Sequence, residues 1–222
     1  HAPDQPTAPG APSAPAQPVA PETPAAPEQP ALPVPPTLAP LPSPTAGDDV
    51  LIGTPDPDQI FSNGGNDVLI GLGSADVHVA GTGNDVLIGN NGDDVLLGQQ
   101  GDDFLFGGNG ADVLLGGTGN DHIIGGLGAD VSQGGTGADV FTYLTINDSP
   151  PAASQRDHIV DFVSGTDKVD LSALNLVAGQ VQSFAAGGQG YLVANTDADP
   201  QFEFAIQFDK SVAPNIAADV NL

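Results

Sequence analysis

A nine-residue alternation of polar turns and short apolar triplets runs through the middle of the chain. An aspartate stands at every ninth position from Asp49 to Asp139, eleven in succession without an insertion. Each is followed by a triplet that is mostly Val, Leu, Ile or Phe, such as Val86-Leu87-Ile88. Apolar, β-branched triplets between glycine-rich polar segments predict short strands joined by tight turns. A fixed short period of this kind indicates a repeat architecture.

The apolar triplets also predict which side chains form a core. The middle residue of a strand points to one face and its two neighbours point to the other. The middle positions are aliphatic or aromatic except at His78 and Ser132, and we interpret His78 as a core histidine rather than a ligand. The flanking positions are also apolar, each in nine of eleven repeats. Two interpretations stay open: simple β propensity on a small surface, or an outer face that a partner covers.

Glycine stands two residues before the aspartate in nine of the eleven repeats. Because glycine permits positive φ and close backbone approach, each repeat is predicted as a six-residue turn ending in aspartate, followed by a three-residue strand. Two turns are irregular, since Asp56 and Ser74 replace the glycine before Asp58 and Asp76.

The most regular copies, Gly107-Gly-Asn-Gly-Ala-Asp-Val-Leu-Leu115 and Gly116-Gly-Thr-Gly-Asn-Asp-His-Ile-Ile124, resemble the nonapeptides of the RTX (repeats-in-toxin) family of bacterial proteins. The resemblance implies an all-β fold, a calcium-bound parallel β-roll in which two nonapeptides make one coil. Aspartates 18 residues apart would then line one edge of the roll. Within each of the two columns, successive carboxylates about 5 Å apart would repel one another without a cation.

Calcium accepts six to eight oxygen ligands in flexible geometry, and stacked turns offer carboxylates and glycine carbonyls. The gaps between stacked turns give a ceiling of nine sites. Because the turn before Asp58 is irregular, we expect the gap between Asp58 and Asp76 to be empty or weak. The aspartates expected to bind calcium are Asp49, Asp67, Asp76, Asp85, Asp94, Asp103, Asp112, Asp121, Asp130 and Asp139. The glycines expected to take part are Gly65, Gly83, Gly92, Gly101, Gly110, Gly119, Gly128 and Gly137.

The charge of the chain agrees with a cation as its partner. There are 28 acidic residues against three basic ones, giving a net charge of -25. A nucleic-acid-binding role is excluded because phosphate neutralisation needs Lys and Arg. Anionic lipid surfaces are disfavoured for the same reason, and no apolar run is long enough to span a membrane.

Residues 1–46 form a proline- and alanine-rich segment. Proline recurs at every third position from Pro3 to Pro33, and polyproline II has three residues per turn. The segment is therefore predicted to be polyproline II with one proline edge. It is interpreted either as a semi-rigid linker to an upstream domain or as a docking arm.

Residues 143–222 leave the nine-residue period of the roll predicted over 47–142. The stretch from Asp157 to Ser172, which includes Asp167 and Lys168, resembles the segment after the repeats in serralysin-type protease C-terminal domains. This resemblance implies a capping region that ends in a type I secretion signal. Alternating apolar residues around Phe204 and Phe208 predict an antiparallel hairpin within residues 190–208.

Catalytic motifs are absent from the sequence. It has no HExxH, no GxSxG, no P-loop and no cysteine, so no catalytic site is predicted. The chain also has no methionine, which we expect of a processed product or of part of a longer protein.

These observations predict a secreted, non-catalytic calcium-binding module that folds outside the bacterial cell. It would act as a structural or self-assembling subunit, for example of a filament or surface layer. Its partners would be calcium, the type I secretion machinery and further copies of itself, through the apolar outer faces and the proline-rich arm. The alternative is the calcium-binding and secretion module of a larger secreted enzyme or adhesin.

Overall fold

The structure is a computed structural model that describes residues 44–197, 201–209 and 214–222. The predicted polyproline II conformation of residues 1–46 therefore lies almost wholly outside the described residues. The described chain is nearly all β, with two facing sheets and one four-residue helix, α1. The strands are β1 Val50–Ile52, β2 Gln59–Gly64, β3 Val68–Ile70, β4 Val77–Thr82, β5 Val86–Asn91, β6 Val95–Gln100, β7 Phe104–Asn109, β8 Val113–Thr118, β9 His122–Leu127, β10 Val131–Thr136, β11 Val140–Thr142, β12 Asp157–Ile159, β13 Lys168–Asp170, β14 Val181–Ala186, β15 Gln189–Ala194, β16 Phe204–Phe208 and β17 Val220–Asn221, with α1 at Ile216–Asp219 and short 3-10 helices at Ser172–Leu174 and Ala178–Gln180.

Successive repeats place their strands in alternate sheets. The first sheet has the order β1-β3-β5-β7-β9-β11-β13-β17 and is parallel throughout. The second contains β2, β4, β6, β8, β10 and β12 in the same parallel arrangement. Within the repeats, paired residues are 18 apart, as for Val50 with Val68 and Val86 with Phe104. This confirms the parallel β-roll with two nonapeptides in each coil.

The prediction of three-residue strands is wrong for most of the roll. Eight strands, β2 and β4 to β10, have six residues. The reason is that several turn residues also lie in register with those one coil away, as Asn91 does with Asn109. Their backbone groups continue the hydrogen-bonded ladder, so that the Gly92 N–H donates to the Asn109 carbonyl at 2.8 Å.

The core of the roll is a ladder of the middle residues of the triplets. Leu69, Leu87 and Leu105 stack in the first sheet and face Leu96 and Leu114 of the second, and all five are fully buried. Each coil removes the apolar surface of such stacked side chains from water, which stabilises the folded state by roughly 25 cal/mol per Å² of buried apolar surface.

The exceptional residue His78 occupies one rung of this ladder, between Ile60 and Leu96. It is fully buried, and neither of its ring nitrogens has a hydrogen-bond partner. Burial lowers its pKa to about 4, so the ring is neutral near pH 7. This agrees with its interpretation as a core residue.

The region after Thr142 extends both sheets. β12 and β13 continue the parallel ladders, and β16 pairs with β12 in parallel. β15 pairs antiparallel with β16, which is the hairpin predicted around Phe204 and Phe208, and β14 adds an outer antiparallel strand. Phe204 and Phe208 are buried in the same core as the roll, and the Phe204 ring meets Tyr143 edge-on at 5.1 Å. The C-terminal β cap is thus continuous with the repeats.

Across the residues that the structure describes, no helix is both long and apolar enough to cross a membrane.

Candidate metal centre

The aspartates of the repeats form two columns, one on each edge of the roll. From Asp58 to Asp139 their side chains are buried, although carboxylates normally remain in water. Along each column, the backbone N–H of one aspartate donates to Oδ1 of the aspartate one coil later. Examples are Asp67 to Asp85 at 2.7 Å and Asp94 to Asp112 at 2.8 Å. One carboxylate oxygen therefore links successive coils.

The other carboxylate oxygen, Oδ2, has no hydrogen-bond partner in nine of these aspartates. A buried anionic oxygen without a partner is strongly unfavourable, so each of the nine calls for a cation or a proton. The nine are Asp67, Asp76, Asp85, Asp94, Asp103, Asp112, Asp121, Asp130 and Asp139.

Several of these carboxyl groups have a pKa well above the ordinary value of an aspartate. Burial, and secondarily the charge of neighbouring aspartates, raises the pKa of Asp103 and Asp112 to about 7. The pKa of Asp121 and Asp130 is raised to about 6 for the same reasons. The backbone hydrogen bond to each group acts in the opposite direction and is outweighed. Without a cation, the columns would thus hold protons near neutral pH.

A second set of oxygens faces Oδ2. A side chain added at Gly89 would overlap Oδ2 of Asp94 and would lie 2.7 Å from the carbonyl oxygen of Gly107. The same holds at Gly107, with Asp112 and the carbonyl of Gly125 at 2.6 Å. The missing side chain of glycine lets a carboxylate oxygen and a main-chain carbonyl oxygen converge. An all-oxygen set of this kind suits calcium.

The carboxylates alone do not make a metal site. In the described part of the chain, no point brings three acidic, histidine or cysteine side chains together as a metal-binding group. Main-chain carbonyls must therefore complete any coordination shell, as calcium allows.

The eight glycines predicted to take part all lie in the turns with positive φ, between 112° and 149°. A side chain at Gly83 would collide with the carbonyl of Gly65, one coil earlier, and Gly110 stands in the same relation to Gly92. The structure thus gives them the role of permitting close stacking. Their participation in calcium binding stays a prediction.

Sequence reasoning missed the glycines next to the Oδ2 atoms, five residues before each aspartate. The signal was present, because glycine occupies this position in eight of the ten turns from Asp58 to Asp139. The two exceptions are Ser62 and Ala80, which precede Asp67 and Asp85 on the same edge. The Ser62 hydroxyl donates to the Ala80 carbonyl at 2.8 Å, so this end of the column differs from the rest.

The N-terminal ends of both columns are closed by threonines. The backbone N–H and the hydroxyl of Thr45 donate to Oδ2 of Asp49, at 2.7 and 3.0 Å. Thr54 makes the same two contacts with Oδ2 of Asp58. Asp49, predicted as a ligand, therefore has its Oδ2 already bound by protein, unlike the nine interior aspartates.

The C-terminal ends of the columns were also missed. Oδ1 of Asp157 accepts the N–H of Asp130 at 2.9 Å, and Oδ1 of Asp167 accepts that of Asp139 at 3.2 Å. Their remaining oxygens are used by protein, since Tyr143 bonds to Asp157 and the Val163 N–H donates to Asp167. Both aspartates precede an apolar-centred triplet like those of the repeats, and Asp157 still lies on the nine-residue spacing, two periods after Asp139, whereas Asp167 does not.

Comparison with known proteins places this geometry in a family. Two solved structures are similar in part, both subunits of the mannuronan C5-epimerase of Azotobacter vinelandii. The AlgE6R3 subunit has 34% sequence identity, a TM-score of 0.44, and coverage of 57% of this chain and 72% of its own. The AlgE6R2 subunit has 23% identity, a TM-score of 0.34, and coverage of 79% and 87%. No curated protein gives a significant match.

The family model described as Peptidase M10 serralysin C terminal matches residues 46–221, which include every repeat and nearly all of the region after them. The protein therefore belongs to the serralysin C-terminal family, as an RTX-type β-roll domain.

Proposed function

We propose that the chain is a non-catalytic calcium-binding module that folds outside the cell when calcium binds between its stacked turns. The observation that carries this proposal is the set of nine buried Oδ2 atoms without a partner, several of which face a main-chain carbonyl. The residues that would hold calcium are the nine aspartates with the turn carbonyls around them. The threonine-bound Asp49 would not be among the strongest ligands.

The electrostatics of the columns support folding that depends on calcium. With a net charge of -25, the compact chain brings carboxylates together in buried columns. In the extended chain these groups are solvated and far apart, which favours the unfolded state when calcium is scarce. A ligand that binds only the folded state stabilises it by mass action, so millimolar calcium would drive folding. This would suit export of an unfolded chain by a type I secretion system.

The outer faces of the sheets support a structural role by self-association. Val50, Ile52 and Phe61 are exposed by 67%, 53% and 49% at the N-terminal end of the roll. Further along, the outward apolar side chains are half-buried by their neighbours. A row of apolar side chains on a sheet face favours a covering partner. We propose that a second copy covers it, with the proline-rich arm as a further contact.

The alternative is that the chain serves as the calcium-binding and secretion module of a larger secreted enzyme or adhesin. The family supports this candidate, because its model describes the C-terminal part of a peptidase. The similar structures are likewise described as subunits of an epimerase. In this role the roll would remain monomeric and the activity would lie in another domain.

Circular dichroism in calcium, in magnesium at equal ionic strength, and in chelator tests the calcium proposal. We expect the β signal only with calcium, because magnesium demands stricter octahedral geometry and ionic screening alone does not supply ligands. An equal β signal in chelator would contradict it. Native mass spectrometry would count the ions, with an expected ceiling of nine.

Light scattering in calcium separates the two roles. Association that increases with protein concentration supports the self-assembling subunit. A monomer that persists at high concentration supports the module of a larger protein.

A further inference from the structure

A groove lined by aromatic side chains lies on the outer face of the second sheet, in its C-terminal part. Its volume is about 350 Å³, and its walls include Pro151, Arg156, Phe184, Tyr191 and Phe202. Tyr191 and Phe184 are register partners on the outer strands β14 and β15. The inward neighbour Leu192 belongs to the buried core, so the groove faces away from it.

The floor of the groove is a stacked aromatic pair. The Phe184 and Tyr191 ring centroids are 5.4 Å apart with an interplanar angle of 23°. Phe184 is 44% exposed. The guanidinium carbon of Arg156 lies 5.3 Å from the centroid of the Tyr191 ring, a cation–π distance. The result is a flat apolar platform with a fixed positive charge beside it.

The guanidinium of Arg156 is unusual in so acidic a chain. Although the chain has 28 carboxylate side chains, none of the described ones forms an ion pair with Arg156. Its Nη2 donates to the carbonyl of Pro151, and its Nε is buried without an acceptor. A cation placed on an aromatic platform, rather than against a carboxylate, remains available to an acidic ligand.

We infer that this groove receives the proline-rich tract of a second copy of the chain. Proline-rich segments in the polyproline II conformation dock into aromatic-lined grooves, because the flat proline rings pack on aromatic faces at low entropic cost. The inference deepens the self-association proposed above and rests on it for its biological role.

Charge complementarity supports this occupant. Residues 1–43 contain three acidic side chains and no lysine or arginine. Two of these follow prolines in a repeated Ala-Pro-Glu unit, as Pro21-Glu22 and Pro27-Glu28. With three residues per turn, a glutamate after a proline lies next to the proline edge. A tract seated with prolines on Tyr191 and Phe184 would thus bring a glutamate toward Arg156.

The binding test uses the full chain in calcium, labelled with ¹³C on its tyrosine rings, and a synthetic peptide of residues 17–33. The chain has two tyrosines, and Tyr143 is buried in the core. We expect the Tyr191 ring resonance to move in a saturable way while that of Tyr143 stays fixed. No movement of the Tyr191 resonance at millimolar peptide would overturn the inference. An equal movement with a peptide whose prolines are alanines would also overturn it.

The association test compares Arg156→Gln with Lys168→Gln, which removes an equal charge from the first sheet, outside the groove. Loss of the Arg156 charge should weaken association in calcium roughly three- to tenfold, and the Glu22→Gln/Glu28→Gln variant should lose a similar factor. Combining both changes should cost no more than either alone, because they remove the same contact. Fully additive effects would contradict the pairing.

The two tests also separate this inference from the proposed function. A chain that stays monomeric in calcium while Tyr191 responds to the peptide would refute self-assembly and leave the groove standing. Association without any response at Tyr191 would refute the groove alone.

Discussion

The aspartates in the interior of the columns differ from those at the ends in how their carboxylate oxygens are bonded. Interior carboxylates such as Asp112 have one oxygen bonded to the preceding coil and one without a partner. At the ends, Thr45 and Tyr143 supply hydrogen bonds that satisfy the outer oxygens of Asp49 and Asp157. The difference teaches that the protein supplies its own donors at the column ends, with Oδ1 of Asp58 as the exception, and leaves the interior to an external cation. Four predictions sharpen or break this contrast.

The largest expected effect is on the pH dependence of the metal-free roll. Burial raises the pKa of several interior carboxyls, to about 7 for Asp76, Asp103 and Asp112, above the value in the unfolded chain. A raised pKa means that stability is present below the unfolded value and is lost as pH rises through about 7. The lowered pKa of His78 has the opposite effect, because it removes stability as pH falls from 6.5 to about 4, but His78 is one group against many.

We therefore expect the chain in chelator, unfolded near neutral pH, to gain β circular dichroism as pH falls from 8 to 5, through a shift in folding free energy of several kcal/mol. In calcium the dependence should reverse, with a urea midpoint that falls as pH falls, because protons compete with the metal. A metal-free β signal that stays constant over this range would contradict the unsatisfied state of the interior carboxyls.

The second prediction concerns the close stacking of interior turns. A side chain at Gly110, which has φ of 147°, would collide with the backbone of Gly92. Gly110→Ala should therefore cost about 3 kcal/mol or more of unfolding free energy in calcium.

Gly165→Ala is the matched control, since Gly165 also has positive φ but has no atom near the added methyl group. It should cost only about 1 kcal/mol, the conformational part of the effect. Equal losses in urea denaturation would show that close stacking is not the cause.

The third prediction compares Asp112→Asn with Asp157→Asn. The pKa of Asp157 is raised to about 9 by burial and by the nearby Asp130, so this carboxyl is already neutral at pH 7. Asp157→Asn should leave the calcium count unchanged. Asp112→Asn should lower the count by at least one and reduce stability in calcium by about 2 kcal/mol.

In chelator the order should invert, with Asp112→Asn retaining more β signal than the unmodified chain because an unsatisfied charge is gone. Native mass spectrometry, urea denaturation in calcium and circular dichroism in chelator provide the measurements. Loss of calcium in Asp157→Asn would place a metal site at the end of the column and remove the contrast.

The smallest effect is expected at His78→Leu. Leucine matches the ladder formed by Ile60 and Leu96 and removes two buried nitrogens without partners. The gain should be about 1 kcal/mol of unfolding free energy in calcium. Ser132→Leu, at the other polar position of the core, is the comparison, and a change in calcium count in either variant would link the core to the metal sites.

The fold and the columns could be predicted from the sequence because each depends on spacing. An aspartate and an apolar residue, such as Asp85 and Leu87, recur every nine residues. This spacing determines the edge on which each aspartate lies, the face to which each apolar side chain points, and the parallel register of the strands. Strand length could not be read in this way, because turn residues such as Asn91 join the ladder only through backbone contacts with the next coil.

The column ends depend on contacts that no local pattern records. Tyr143 and Asp157 are 14 residues apart and meet because the segment between them returns to the second sheet. The glycine before each Oδ2 was visible in the repeat, but its role follows from a side-chain collision that only coordinates reveal.

The 18-residue register also determines how this protein can change in length. Deletion of one whole coil, such as residues 86–103, would pair the flanking strands with strands of their own sheet. Each remaining turn would stay on its own edge, so both aspartate columns would remain continuous. Deletion of nine residues would move every later turn to the opposite edge and would bring β12 and β13 to the wrong sheets. The roll can therefore be shortened or lengthened in steps of two nonapeptides while the column ends bonded by Thr45 and Tyr143 are retained.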